Sequence, residues 1–120
     1  GYRSVLSSQE WDSRIARIEG RPVGYYLSRL LPPDAELMAI GVVPEGRGAG
    51  VGKQLLEECL AEAVRRGCTS CFLEVRRSNR RAILFYEGNG FVTAYVREGY
   101  YADPREDALV LERRLEKSHP

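Results

Sequence analysis

The segment Arg47-Gly48-Ala49-Gly50-Val51-Gly52-Lys53 carries the residue types that most directly imply chemistry. Glycines let a backbone bend tightly and present its N–H groups with no Cβ in the way. Where such a turn runs into a helix, the unpaired N-terminal donors and the helix macrodipole form an anion site suited to a pyrophosphate. Arg47 and Lys53 can add charge to it, and a plain strand-to-helix turn is the competing explanation. Two phosphate-loop patterns are excluded by spacing. A Walker loop, G-x-x-x-x-G-K-S/T, would need glycine where Arg47 stands and a hydroxyl residue where Gln54 follows Lys53. The dinucleotide pattern G-x-G-x-x-G, read from Gly46 and Gly48, would need its third glycine at Val51.

Other reactive side chains offer less. Cys59 falls on the apolar face of an expected helix and reads as core rather than nucleophile. Cys68-x-x-Cys71 has the spacing of a redox or half-zinc pair, but it lies where that helix ends, not at a thiolate-stabilising N-terminus. No second pair completes a metal site, and the only histidine, His119, is in the tail, so no metal is expected. Arg76, Arg77, Arg80 and Arg81 crowd the start of a short helix, where cations oppose the dipole. Either an anion sits near them or they form a solvated basic face.

The elements that must position these residues are legible from periodicity. Ser13–Ile18 and Val23–Ser28 alternate loosely around Glu19-Gly20-Arg21-Pro22 and predict a hairpin. After the break at Pro32-Pro33-Asp34, the nearly unbroken apolar run Leu37–Val43 predicts a central strand covered on both faces. Pro44–Gly52 interrupts it, and a helix follows from Lys53 to Arg66. Its apolar face is Leu55, Leu56, Cys59, Leu60, Ala63 and Val64, and Gly67 is its expected stop. Thr69–Val75 predicts a strand with Cys71, Leu73 and Val75 on one face and Phe72 and Glu74 on the other. Ser78-Asn79 offers an N-cap for a short helix to about Glu87, closed by Gly88-Asn89-Gly90. Phe91–Val96 and Ala108–Arg113 complete the set as strands, with Tyr100, Tyr101, Pro104, Glu106 and Asp107 in a polar loop between them. The order β-β-β-α-β-α-β-β implies a mixed α/β sheet.

The bulk numbers bound what this sheet can serve. A chain of 120 residues has room for one domain with a single core. Eighteen basic against seventeen acidic side chains leave +1, no field that would draw nucleic acid or an anionic membrane. No run approaches the roughly 18 apolar residues that span a bilayer, and no signal peptide is visible. The odd count of three cysteines gives no hint of an oxidising compartment, and a cytoplasmic protein is expected.

Read as Arg47-x-x-Gly50-x-Gly52, the glycine turn resembles the acyl-CoA pyrophosphate loop Q/R-x-x-G-x-G/A of the GNAT superfamily. Leu73-Glu74-Val75-Arg76-Arg77-Ser78-Asn79, then Ala82-Ile83 and Phe85-Tyr86-Glu87-Gly88-Asn89-Gly90-Phe91, resembles the second half of such a domain. Tyr100-Tyr101 and Glu106-Asp107-Ala108 resemble its N-terminal amino-acid acetyltransferase branch, typified by ribosomal-protein alanine acetyltransferases. The resemblance runs from roughly Ser13 to Leu115. It implies a GNAT fold, a mixed and mostly antiparallel sheet flanked by helices. It makes residues 13–115 the acetyltransferase domain, with 1–12 an N-terminal remnant and 116–120 a tail. It also implies direct transfer of acetyl from acetyl-CoA to a primary amine in a ternary complex. The favoured acceptor is a protein or peptide N-terminus, such as that of a ribosomal protein. A small-molecule or lysine acceptor, or an inactive acyl-CoA-binding module, are the alternatives, and the protein is expected as a monomer or homodimer.

The resemblance implies residue roles that chemistry makes sensible. Amine acetylation needs a neutral amine, a polarised thioester carbonyl and a proton for the departing thiolate. Glu74 becomes the general base, acting through water, and Tyr86 the general acid. The competing readings are a solvated strand-end carboxylate and a hydroxyl that is merely hydrogen-bonded. Acetyl-CoA is expected on the backbone of Ile40, Gly41 and Val42, on Arg47, Gly48, Ala49, Gly50, Val51, Gly52 and Lys53, and on Asn79, which can also cap its helix. Tyr100 and Tyr101 are expected to cover the acceptor or to pack the last hairpin. Glu106 and Asp107 either hold that loop or attract an ammonium group. A full domain of the family carries a first strand and one or two helices before the hairpin, where this chain, opening Gly1-Tyr2-Arg3, has about a dozen residues.

Overall fold

The computed structural model describes residues 10–116. The N-terminal stretch before residue 10 and most of the expected tail, His119 included, lie outside the described residues.

Strand β1 (Trp11–Ile18) turns into β2 (Arg21–Leu31) through Glu19 and Gly20, both with positive φ (50° and 81°). Two left-handed residues are what a two-residue hairpin needs to match the strand twist. The turn is therefore shorter than expected, and Arg21-Pro22 join β2. Pro22, which has no N–H to give the ladder, sits where the register shifts between Ala16 and Arg17. Strand β3 (Asp34–Val42) pairs antiparallel with β2, and a 3₁₀ turn at Pro44–Gly46 leads toward the first helix.

Helix α1 (Val51–Arg65) starts behind Gly50 and buries Val51, Leu55, Leu56, Cys59, Leu60 and Ala63 against β1, β2 and β3. Each leucine so buried contributes about 1.5–3 kcal/mol over an exposed one. Its end is a full Schellman motif. Gly67, at φ 93°, donates to Val64 O at 3.0 Å, and Cys68 N donates to Ala63 O at 2.9 Å. Strand β4 (Ser70–Arg76) alternates as expected, with Cys71, Leu73 and Val75 buried and Phe72 and Glu74 half-buried. Helix α2 (Arg80–Gly88) buries Ile83 and Tyr86, and β5 (Val92–Ala102) and β6 (Arg105–Arg114) close the chain.

The sheet order is β1-β2-β3-β4-β6-β5. Only the β3–β4 pair is parallel, and it lasts three residues, Asp34–Glu36 against Ser70–Phe72, before the strands diverge. Buried residues of both helices share one core with Cys71, Leu73 and Val75, so both helices lie on one face of the sheet. The opposite face carries Tyr25, Phe72, Glu74 and Arg97, and no helix covers it among the described residues.

Two expectations are corrected. Strand β3 is interior but not covered on both faces. Met38 is 49% exposed and Ala39–Val42 only half-buried, because the strand parts from β4 and one face has no helix. The polar loop expected around Tyr100 and Tyr101 is instead a long two-stranded ribbon. Tyr100 and Tyr101 belong to β5 and Glu106 and Asp107 to β6, with Tyr101 paired to Glu106 across it. The expected strand Phe91–Val96 corresponds to the first half of β5; residues 97–102 are all exposed or half-buried, so no alternation carried the strand onward into them. No helix among the described residues is long and apolar enough to cross a membrane.

Candidate active site

A cleft of about 530 Å³ opens between the diverging end of β3, the glycine turn, the start of α1 and one side of α2. Of the residues expected on a cofactor, Ile40, Gly41, Val42, Arg47, Gly48, Gly50, Val51, Gly52, Lys53 and Asn79 line it together, and Ala49 does not. Gly46, Arg81, Ala82 and Phe85 line it too. Ala82 lies four residues before Tyr86 and three before Phe85, so it is a neighbour of both on the side of α2 that borders the cleft.

Backbone conformation explains the glycines here. Gly48 and Gly50 have φ of 81° and 77°, and a Cβ on either would meet nothing within 4 Å, so conformation rather than space demands them. No side chain caps α1 and its first turn holds no acidic residue. The first intrahelical bond runs from Gln54 N to Gly50 O at 3.0 Å, so the donors of Val51, Gly52 and Lys53 precede the helical ladder at the mouth of the cleft. This donor set, with Lys53 and Arg47 beside it, fits a pyrophosphate.

The next stretch of wall is strand backbone. Ile40, Gly41 and Val42 pair on one side with Tyr26, Tyr25 and Gly24, while β4 has left their other side. That open edge can take hydrogen bonds from an extended ligand as a further strand would. Gly41 also serves its neighbour, since a Cβ there would come 2.7 Å from Tyr25 Cε1.

Tyr86 sits at the inner end of the cleft, 9% exposed, edge-on to Phe85 (5.3 Å) and Phe91 (5.6 Å). Burial, reinforced by the Cys71 and Cys59 thiols, pushes its hydroxyl up to about 12. Asn79 Oδ1 accepts the Ala82 N–H at 3.2 Å as the α2 cap, and the residue still lines the cleft, so capping does not remove it from the site.

Glu74, Tyr100 and Tyr101 do not line this cleft. They lie at the other face of the sheet, where Glu74 forms an ion pair with Arg97. Arg97 lies 4.6 Å from the Tyr100 ring, Tyr100 packs edge-on to Tyr101 at 5.1 Å, and Arg76 lies 4.2 Å from the Tyr101 ring. Burial and the Glu74 charge raise the Tyr101 hydroxyl. The arginine quartet divides. Arg76 binds Glu106 and Arg77 binds Asp107, each at 3.2 Å, while Arg81 borders the cleft. Glu106 and Asp107 thus hold the ribbon. Glu106 accepts Ser78 N at 2.5 Å, and the Ser78 hydroxyl, that N–H and Arg76 together keep its carboxyl below the usual range, while Asp107 accepts Gly99 N at 2.8 Å. Sequence reasoning missed Arg97, since a contact 23 residues from Glu74 leaves no local trace.

Comparisons with known proteins bear on the family and the fold. The acetyltransferase (GNAT) family model matches residues 4–91. Ribosomal protein bS18-alanine N-acetyltransferase of Escherichia coli strain K12 is 37% identical over 94 residues, which cover 77% of this chain and 64% of that protein. The chain thus spans just under two thirds of that relative's length. The crystal structure of the ribosomal-protein-S18-alanine N-acetyltransferase from Escherichia coli superposes with a TM-score of 0.83 at 29% identity, covering 99% of this chain and 79% of that one. Chaetomium thermophilum Naa20, solved in complex with a bisubstrate analogue, superposes with a TM-score of 0.78 at 28% identity, covering 84% and 64%.

Proposed function

Because this chain belongs to the acetyltransferase (GNAT) family, we propose that it transfers acetyl from acetyl-CoA to the N-terminal α-amine of a protein, a ribosomal protein in particular. The observation that carries the reading is the uncapped, glycine-built start of α1 opening onto a cleft that runs along the free edge of β3 to Tyr86.

Acetyl-CoA, when bound, supplies an acyl group already activated as a thioester. The first-turn donors of α1, Arg47 and Lys53 hold its pyrophosphate, and the backbone of Ile40, Gly41 and Val42 pairs with its pantetheine arm. Asn79 contributes its remaining amide donors. Glu74 lies on the open face, from which an acceptor can approach the gap between β3 and β4, and it takes the proton of the attacking amine, directly or through water. Tyr86 lies on the helix face and serves the departing sulfur. An ordinary thiol has a pKa of about 8.5, well below the value burial gives Tyr86, so outright proton transfer from the phenol is uphill. Tyr86 therefore contributes first as a hydrogen-bond donor to sulfur as negative charge develops. Tyr100 and Tyr101, packed edge-on to each other, offer aromatic surface with polar tips on the acceptor side.

Thiol release from acetyl-CoA with and without Ala- or Ser-started peptides tests this reading. Release that depends on the peptide, and that an N-terminally blocked peptide with a free lysine does not support, is the expected result. CoA binding with no release from any amine would leave an acyl-CoA-binding module and overturn the proposal. Faster release with polyamines or lysine side chains would overturn the acceptor assignment.

A further inference from the structure

Glu74 is half-buried on a strand in the middle of an uncovered face, and nothing on its own strand fixes its carboxylate. The group that does comes from two strands away. Register places Glu74 beside Val110 and Tyr95, and Arg97 beside Ala108 and Arg76, all facing the same side. The Arg97 side chain crosses β6 diagonally to bind Glu74 Oε2 through Nη1. Its guanidinium is fixed from the other side by the Tyr100 ring. The support continues through Tyr101 to Arg76, through Arg76 to Glu106, and through Glu106 to the N–H of Ser78, next to the Asn79 cap of α2. One chain of contacts thus ties the carboxylate to the loop that also begins the cofactor-side helix.

We propose that Arg97 is a positioning residue for acyl transfer, holding Glu74 by Oε2 so that Oε1 takes the proton of the acceptor amine. The inference rests on the reading of Glu74 as the base. Oε1 has no hydrogen-bond or ion-pair partner among the described residues, so it is the oxygen free to act. A carboxylate on a flexible side chain spreads over several rotamers, and holding a reacting group in one geometry is worth large factors in rate. A guanidinium suits the task because its planar fork can donate to the carboxylate while its face stacks on an aromatic ring; an ammonium provides charge without that orientation. In the step itself the amine nitrogen bonds to the thioester carbon, its N–H proton passes to Oε1 directly or along one water, the C–S bond breaks with its electron pair leaving on the CoA sulfur, and the Arg97 bond to Oε2 persists throughout.

A double-mutant cycle decides the matter. Arg97→Gln, Arg97→Lys, Glu74→Gln and Arg97→Gln combined with Glu74→Gln are assayed with acetyl-CoA and an alanine-started peptide, with CoA binding and thermal midpoint measured for each. The expected result is a loss of about tenfold in kcat for Arg97→Gln, with the acetyl-CoA KM within about twofold of the parent and partial recovery in Arg97→Lys. With Glu74→Gln already present, Arg97→Gln should lower kcat less than about twofold further, because the two residues act as one unit. Equal losses in both backgrounds, or full activity in Arg97→Gln, would overturn the positioning role while leaving Glu74 as base. No loss in Glu74→Gln alone would overturn the base assignment and this inference with it. If Arg97→Gln fails to fold, Arg97→Lys carries the same cycle.

Discussion

Tyr86→Phe removes one oxygen from the wall of the cleft and leaves its packing in place. The ring keeps its edge contacts with Phe85 and Phe91, at 5.3 and 5.6 Å between centroids. The hydroxyl has no protein partner among the described residues, so the substitution strands no buried donor or acceptor. Stability at neutral pH should therefore change by less than about 1 kcal/mol. Catalysis should respond far more. A hydrogen bond to a charged group is worth about 1.5–3 kcal/mol, and at 1.36 kcal/mol per decade that is roughly a 10- to 150-fold loss in kcat. The assay is thiol release at saturating acetyl-CoA and alanine-started peptide, paired with a thermal melt and a CoA-binding measurement. The expected pattern is a lower kcat, an unchanged acetyl-CoA affinity and an unchanged melting temperature. Undiminished kcat would refute the assigned role of the hydroxyl. A loss accompanied by weaker CoA binding or a lower melting temperature would show the phenol to be structural.

Two further perturbations follow from the same geometry. Gly50→Ala places a Cβ in open space, since nothing lies within 4 Å, yet forces alanine to φ 77°. The expected cost is about 1–2 kcal/mol of stability and a several-fold higher acetyl-CoA KM; an unaltered melt and KM would show that the loop does not need its left-handed residue. The alkaline side is governed by groups that burial keeps neutral: Tyr86 is raised to about 12, Cys59 to about 11, and Tyr26 and Cys71 are raised further still. Above about pH 8, where unfolded thiols begin to ionise, and above about pH 9 for the phenols, the folded state holds more protons than the unfolded one, so stability is complete below that window and falls as pH rises through 12, by about 3 kcal/mol in all from Tyr86 alone. Urea melts at pH 8 and 10.5 should show the midpoint falling, and by less in Tyr86→Phe; an equal fall in both would contradict the assignment to Tyr86.

Helix α1 was legible because its stripe from Leu55 to Ala63 has the helical period and because Gly67 supplies the left-handed stop of its Schellman motif. Strand β4 was legible because one face is buried and the other is not. The cleft shares this advantage: its glycines, Asn79 and Tyr86 lie within short segments whose local pattern fixes their conformation. The opposite face of the sheet, proposed for the acceptor, lacks it. Strand β5 was legible only to Val96; beyond it no layer imposes an alternation, and the expected loop turned out to be a ribbon held by Glu106 and Asp107. The pairing of Glu74 with Arg97 depends on the register of three strands and on side-chain reach across the middle one. Likewise, the apolar run Leu37–Val43 showed hydrophobicity but not that β3 would part from β4 after Glu36.

That parting has a consequence for the life of the protein without its cofactor. A strand that leaves its neighbour in mid-sheet exposes a row of donors and acceptors, an edge in the interior of the sheet rather than at its margin. Natural sheets guard their margins with charges and prolines, but charge along Ile40, Gly41 and Val42 would block the ligand, so this edge goes unguarded by sequence. On the proposed function, the pantetheine arm is its cover, and acetyl-CoA binding would stabilise the fold by mass action. Under the same proposal, acyl-CoA supply sets how long the edge stays open to strand addition by another chain, tying the solubility of the protein to its proposed acyl donor.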